Sequence, residues 1–193
     1  MIIGVLALQG DFAEHISVLR RLGVDAGEVR LPQDLDPLAG LIIPGGESTT
    51  IGKLAVAYDL MEPLKRFGQE KPLWGTCAGA ILLSKSARRE QPLLGLMDIT
   101  VERNAFGRQI DSFEMDLEVD ALKQVDAYNP PYHAVFIRAP LIELLDGRAQ
   151  ALATLDDGRV VVAQQEHLLA TSFHPELTED DRFHRYFLRM VDS

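Results

Sequence analysis

The chain's only cysteine, Cys77, lies in Gly75-Thr76-Cys77-Ala78-Gly79, directly after the apolar pair Leu73-Trp74 and directly before Ala80-Ile81-Leu82-Leu83. A nucleophile between two glycines at a strand-to-helix junction is the context of a nucleophile elbow, with cysteine where hydrolases often carry serine. The glycines permit a sharp turn that side chains would block, and the turn pushes the thiol out at the carboxyl end of a sheet. A helix N-terminus behind it favours the thiolate, the reactive form. A lone cysteine is otherwise most often a buried packing residue; the flanking glycines weigh toward catalysis.

A cysteine nucleophile needs a base and a group that orients the base. The five histidines are His15, His133, His167, His174 and His184, and one of them, His174, sits two residues before a carboxylate across a proline, in Phe173-His174-Pro175-Glu176. If that segment is extended, positions 174 and 176 point to one side and Glu176 can hold the imidazole. His184, next to Arg185 in a helical pattern, reads as solvent-facing. His133 and His167 sit near strand ends, and His15 lies on the first helix, where it could face a partner.

Pro44-Gly45-Gly46-Glu47-Ser48-Thr49 also follows an apolar run. Its glycines can turn backbone N–H groups toward an oxyanion or an amino-acid substrate. Its spacing is not that of a P-loop, and neither GxGxxG nor a histidine–carboxylate spacing of metal-site type occurs. Arg103 and Arg138 end strand candidates and could clamp a substrate carboxylate, although a surface ion pair is the ordinary role for each.

The elements that must position these residues alternate in type. The apolar run 2–8 reads as a strand buried on both faces. Asp11 can cap a helix with Phe12, Ile16, Leu19 and Leu22 on one face, closed by Gly23. Strands over 24–30 and 40–43, a loop between Pro32 and Pro37, a helix over 59–68, and the strand–elbow–helix 72–84 follow. Strands alternating with helices mean βαβ units and a mostly parallel sheet. The second half differs: 99–102, 113–119, 134–137, 151–155, 160–163 and 168–171 are short strand candidates with few helices between them. Phe183, Phe187, Met190 and Val191 mark a last amphipathic helix. The expectation is one α/β domain over 1–193, a mostly parallel central sheet flanked by helices, with extra antiparallel strands in its second half.

Composition narrows the class. Of 193 residues, 47% are hydrophobic and 25% charged, as in an ordinary globular protein. Nineteen Lys+Arg against 29 Asp+Glu leave a net charge of −10, which argues against nucleic acid and anionic membranes as partners. One cysteine excludes an intramolecular disulfide and fits a reducing, cytoplasmic compartment. The N-terminus lacks the basic region and cleavage pattern of a signal peptide, and no apolar run approaches the roughly 18 residues of a membrane span.

Taken in order, LALQGDFAEH (6–15), IIPGGESTT (42–50), GTCAGAILL (75–83), VERNAFGRQIDSFE (101–114), FIRAP (136–140) and SFHPELTEDDR (172–182) resemble class I, triad-type glutamine amidotransferases. Within that superfamily, PGGEST, RNAFGRQ and FIRAP resemble the family of glutaminase subunits of pyridoxal 5′-phosphate synthases. The resemblance spans nearly the whole chain. It implies a flavodoxin-like three-layer fold, Cys77 as nucleophile, His174 as general base and Glu176 as its orienter. It also implies L-glutamine contacts from Gly46, Glu47, Ser48, Arg103, Ile137 and Arg138, and an oxyanion hole from the N–H groups of Gly46 and Ala78. No cofactor and no metal are implied. The implied partner is a separate synthase subunit, joined in a hetero-oligomer, that uses the released ammonia to build pyridoxal phosphate. The Asp126–His133 segment looks longer and more polar than the family pattern. The rival readings are a glutaminase subunit of another amidotransferase, such as that of histidine biosynthesis, a non-catalytic subunit of the same fold, and a cysteine peptidase on a similar scaffold. RNAFGRQ and FIRAP weigh against the first, and the intact triad against the second.

Overall fold

The apolar runs of the first half become parallel strands. A computed structural model describes residues 1–102, 112–145 and 147–193. Its first half runs β1 (Ile2–Leu6), α1 (Phe12–Arg21), β2 (Asp25–Val29), β3 (Gly40–Ile43), α2 (Ser48–Ala57), α3 (Met61–Glu70), β4 (Leu73–Thr76) and α4 (Ala78–Leu83). The second half carries β5 (Ser84–Ser86), β6 (Met97–Glu102), β7 (Ser112–Leu117), β8 (Tyr132–Ile137), β9 (Leu141–Leu144), β10 (Gln150–Thr154), β11 (Val160–Gln165), β12 (Leu168–Thr171) and α5 (Arg182–Val191). The main sheet has the order β2-β1-β3-β4-β12-β11-β9-β6-β5, with β10 also on β11, while β7 and β8 form a separate antiparallel ribbon. From β2 to β12 the pairings are parallel; β11 is antiparallel to β12, β10 and β9, and β9 to β6.

Successive side chains of a strand point to opposite faces, and here both faces are covered. Ile3, Val5, Ile42, Trp74 and Leu169 pack with Ile16 and Leu19 of α1 and Phe183 and Phe187 of α5. Leu6, Leu41, Ile43, Leu73, Leu168 and Ala170 pack on the other side with Ile51, Leu64, Phe67 and Leu82 of α2, α3 and α4. This is the expected α/β arrangement of helices around a mostly parallel sheet. No helix among the described residues is long and apolar enough to cross a membrane.

Phe183 is fully buried, with ring centroids 4.7 Å from Tyr132, 5.2 Å from Phe173 and 6.3 Å from Trp74. Phe183→Ala should therefore destabilise the fold by about 3–5 kcal/mol. A urea midpoint shift worth less than about 1 kcal/mol, at unchanged slope, would contradict this packing role.

Several local expectations change. The stretch after Pro-Gly-Gly, to which the sequence assigns no element, is α2, whose N-terminus is capped by Glu47 through Thr50 N–H at 2.7 Å. Glutamate is an uncommon N-cap and Gly52 interrupts the helix, so the sequence carries only a weak helix signal there. The helix expected over 59–68 is α3, shifted to Met61–Glu70, and α4 begins at Ala78, two residues before its expected start. The loop between Pro32 and Pro37 contains a 3-10 turn over Pro32–Leu35. Asp11 precedes α1 as expected but makes no side-chain cap bond. The Asp126–His133 segment is tied down by buried Arg182, which donates to Pro130 O at 2.7 Å, Asn129 Oδ1 at 3.2 Å and Pro131 O at 3.3 Å.

Candidate active site

β12 inserts beside β4 with Leu168 opposite Leu73 and Thr171 opposite Thr76. The chain segments leaving these two strands thus emerge together at the carboxyl edge of the sheet, where open α/β folds place their sites. Cys77 follows β4, and its N–H donates to Thr171 O at 2.8 Å. The elbow is built differently from the sequence expectation in one respect. The residue in the left-handed region is Cys77 itself, at φ 47° and ψ −103°, a conformation that persists for a non-glycine residue only when its surroundings enforce it. The glycines instead allow close approach: a Cβ on Gly79 would lie 2.0 Å from Ile43 O, and one on Gly75 2.5 Å from the Gly79 carbonyl. α4 is thereby pressed against β3 and β4, and the thiol is left at its N-terminus.

His174 lies three residues beyond β12, its N–H donating to Val135 O of β8 at 2.9 Å. The segment after it is not extended. Pro175–Leu177 forms a 3-10 turn, and that turn swings Glu176 back so that His174 Nδ1 donates to Glu176 Oε1 at 2.7 Å. The expected pair forms by a different backbone route. The other ring nitrogen is then left for Cys77, whose side chain lines the same cleft as the imidazole. Burial works against a charge on His174, but the neighbouring Cys77 thiol and Glu176 carboxyl outweigh it and push its pKa up to about 10. Burial raises the Glu176 carboxyl above its usual range, opposed by the bond from His174. A proton-holding imidazole beside a thiol and a buried carboxylate can stabilise a thiolate and later protonate a leaving group.

Around this line runs a cleft of about 420 Å³, lined by Gln9, Gly10, Asp11, Gly46, Glu47, Ser48, Ala78, Ile137, Arg138, Pro140 and Leu177 along with Cys77 and His174. Two loops form one wall, packed backbone against backbone. Gly10 has φ +102°, and a Cβ there would lie 1.8 Å from Gly45 O; a Cβ on Gly45 would lie 2.6 Å from His174 Cε1. Asp11 N–H donates to Gly45 O at 3.1 Å, and Gln9 Oε1 accepts from Glu47 N–H at 2.6 Å. From sequence, Gln9 and Gly10 carry no role and Asp11 only that of a helix cap. Their signal was positional, since they follow β1 at the same carboxyl edge.

The expected substrate residues mostly gather here. Gly46, Glu47, Ser48, Ile137, Arg138 and Ala78 line the cleft; Arg103 lies outside the described residues. Glu47 uses its carboxylate to cap α2, and Ser48 Oγ donates to Gln91 Oε1 at 3.3 Å. Ala78 opens α4, so its N–H lacks an intrahelical acceptor. Asp11 Oδ2 lies 3.5 Å from His174 Nδ1. Asp11, His174 and Glu176 hold their polar atoms within 4.8 Å of one another, as metal ligands do. The Nδ1 they share is engaged by Glu176 at 2.7 Å, so hydrogen bonding accounts for the trio. Arg138, exposed and at φ 43° immediately after β8, is the one arginine or lysine among the described residues that line the cleft. Arg138→Ala should raise KM for an acidic or zwitterionic substrate about 10- to 100-fold with kcat little changed; a fall in kcat alone would contradict a clamping role.

Two histidines are placed against expectation. His184 is fully buried rather than solvent-facing, and His15 is fully buried beside it. Helical phase carried a signal for both, since His15 is three residues after Phe12 and four before Leu19 in α1, and His184 is three before Phe187 in α5; the residue type concealed it, because an imidazole fits either face. His133 is exposed between Asp116 and Glu114, and His167 Nε2 bonds Gly68 O at 3.0 Å, both within the roles expected near strand ends.

The profile of the SNO glutamine amidotransferase family matches residues 5–193. A protein of Herpetosiphon aurantiacus called pyridoxal 5′-phosphate synthase subunit PdxT is 58% identical over 97% of this chain and 99% of its own. The protein of that name from Thermus thermophilus is 55% identical over 98% and 97%. A solved structure described as a glutamine amidotransferase superposes with a TM-score of 0.91 at 50% identity, covering all of both chains. The structure of PurLQS from Thermotoga maritima shares the fold alone, with a TM-score of 0.70 at 16% identity over 98% of each chain.

Proposed function

The chain belongs to the SNO glutamine amidotransferase family, and on that footing we propose that it is a glutaminase that hydrolyses L-glutamine to L-glutamate and ammonia for a pyridoxal 5′-phosphate synthase. The observation that carries this reading is the gathering of the Cys77 thiol and the His174 imidazole in one cleft, with His174 Nδ1 bonded to Glu176 Oε1 at 2.7 Å behind them. The Cys77 thiolate attacks the side-chain carboxamide carbon, and the carboxamide oxygen takes up the negative charge. N–H groups of Ala78 and Gly46 are the donors for that oxyanion. His174 gives its proton to the departing nitrogen, ammonia leaves, and a γ-glutamyl thioester remains on Cys77. His174 then takes a proton from water, hydroxide adds to the thioester carbon, and glutamate leaves as the thiolate returns. Glu176 holds His174 by Nδ1 throughout, fixing which nitrogen meets the sulfur. Arg138 offers its guanidinium to the α-carboxylate of glutamine.

Free ammonia at neutral pH is mostly ammonium, a poor nucleophile, so the product is useful only if delivered shielded to an acceptor site. The relatives' name, a subunit of a synthase, supports a separate synthase subunit as that acceptor. The whole chain then acts as one glutaminase domain, in the cytoplasm, where its single thiol stays reduced.

The test is glutamine hydrolysis measured with and without the synthase. Gly46 is exposed at φ +150°, and a glycine turn can rotate its N–H toward or away from the thiol at little cost. Docking that selects the turned-in form should raise kcat about 10²–10³-fold, the worth of an oxyanion donor, far more than it lowers KM. Equal kcat with and without the synthase at saturating glutamine would refute this control, and no glutamate release in either case would refute the glutaminase itself.

A further inference from the structure

Behind the triad lies a second buried polar line that the reaction above does not use. His15 of α1 and His184 of α5 are both fully buried. His15 Nδ1 is 2.9 Å from His184 Nε2, and His15 Nε2 is 3.3 Å from Thr76 Oγ1 and 3.3 Å from Glu176 Oε2. Trp74 sets its ring against both imidazoles edge-on, at 5.7 Å and 76° for His15 and 5.0 Å and 73° for His184. Glu176 Oε2 and His184 Nδ1 have no hydrogen-bond partner of their own.

We propose that His15 is a positioning residue for the catalytic carboxylate, donating from Nε2–H to Glu176 Oε2, with His184 fixing the His15 tautomer by donating from its own Nε2–H to His15 Nδ1. This rests on the glutaminase reading for its catalytic consequence, though not for its tautomers. Two arrangements of protons fit the 2.9 Å contact between two neutral rings. If the shared proton sits on His15 Nδ1, then His15 Nε2 is a lone pair that can accept from the Thr76 hydroxyl but also meets a carboxylate oxygen 3.3 Å away. That leaves Glu176 Oε2 without a donor and His184 Nδ1–H without an acceptor, two buried orphans, one of them charged. If the shared proton sits on His184 Nε2, then His15 carries its proton on Nε2, bonded to Thr76 Oγ1 and lying beside Glu176 Oε2 at 3.3 Å, so that the carboxylate meets a proton and not a lone pair. A single lone pair on His184 Nδ1 is then unpartnered. Buried polar groups are overwhelmingly satisfied, so the second arrangement holds. Burial supports the neutral rings it needs: it lowers His15 well below the ordinary histidine range and takes His184, aided by Arg21, to about 3.

Glu176 thus meets a ring N–H at each oxygen, Oε1 at 2.7 Å from His174 and Oε2 in a longer 3.3 Å contact with His15, which opposes its rotation away from the imidazole it orients. The line also joins α1 and α5 to the catalytic turn, although neither helix lines the cleft.

The tautomers are read in the wild-type protein by histidine ¹⁵N-labelling and long-range ¹H–¹⁵N correlation. The expected result is Nε2–H on both His15 and His184 at neutral pH; a proton on His15 Nδ1, or a doubly protonated His15, would overturn the proposal. The catalytic consequence is read in glutamine hydrolysis with the synthase present. His15→Phe keeps the ring shape but loses the donor, and should lower kcat about 10- to 100-fold, as expected for one hydrogen bond to a charged group, with KM within threefold. His15→Gln places an amide N–H near the Nε2 position and should recover most of that loss. A Phe variant with wild-type kcat, or a Gln variant as impaired as Phe, would overturn the positioning role. If instead the wild-type protein released no glutamate with or without the synthase, the glutaminase reading would fail while the tautomer result stood on its own.

Discussion

Cys77→Ala should abolish glutamine hydrolysis while leaving the fold and any partner docking unchanged. The alanine keeps the Cβ, keeps the N–H bond to Thr171 O at 2.8 Å, and inherits the same φ of 47°, so the elbow stays as it is. The lost atom is the sulfur that forms the thioester, and without a covalent intermediate the remaining site can offer only oxyanion donors and binding. Removing a nucleophile from such a unit costs about 10⁵–10⁶ in kcat. Glutamate release would report the loss, and an unchanged far-ultraviolet dichroism and melting point would show that folding is intact. Hydrolysis within tenfold of wild type would end the triad assignment.

His174→Asn should come next in size, at about 10⁴ or more, because no other base lies between Cys77 and Glu176 among the described residues. The same variant tests the contact directly. With the imidazole pushed up to about 10 beside the thiol, iodoacetamide should modify wild-type Cys77 at pH 7 at least about tenfold faster than it modifies the variant. Equal alkylation rates would mean that the two residues do not interact. Glu176→Gln should be milder, about 10²–10³, since an amide oxygen can still accept from His174 Nδ1–H while charge and orientation are lost. Its NH₂ would then face His15 Nε2 across the 3.3 Å contact, and the His15–His184 pair could accommodate it by moving one proton. If Glu176→Gln proved as damaging as His174→Asn, orientation and charge would outweigh the hydrogen bond.

How much of this was legible beforehand follows from which features are local. Runs such as Ile2–Leu6 and Gly40–Ile43 are apolar at every position, which is possible only when both faces of a strand are covered, so the three-layer class was readable from them. α2 was missed because its N-cap is a glutamate and its interior contains Gly52; it forms because the packing of Ile51 and Ala55 on the core outweighs weak local propensity. β9 was missed for a related reason: four residues, Leu141–Leu144, paired to β6 by long-range hydrogen bonds carry little pattern of their own.

At the site, the amino-acid sequence by itself determined the chemistry: one thiol between glycines that must be glycines, one histidine with a carboxylate two residues on, and a glycine loop after an apolar strand. These are statements about residue type and short spacing, and side-chain chemistry does not depend on where the chain goes next. Only the tertiary structure decided how Glu176 reaches His174, by a 3-10 turn rather than an extended segment. It alone brought His15 and His184, 169 positions apart, within 2.9 Å of each other behind the triad. A contact between α1 and α5 exists only after β12 has inserted beside β4, and an imidazole, polar at two nitrogens and flat between them, carries no hydropathy signal that distinguishes a buried relay from a wet surface. That insertion is a pairing between strands almost a hundred residues apart in the chain, set by the shared burial of two apolar faces and not by any local spacing.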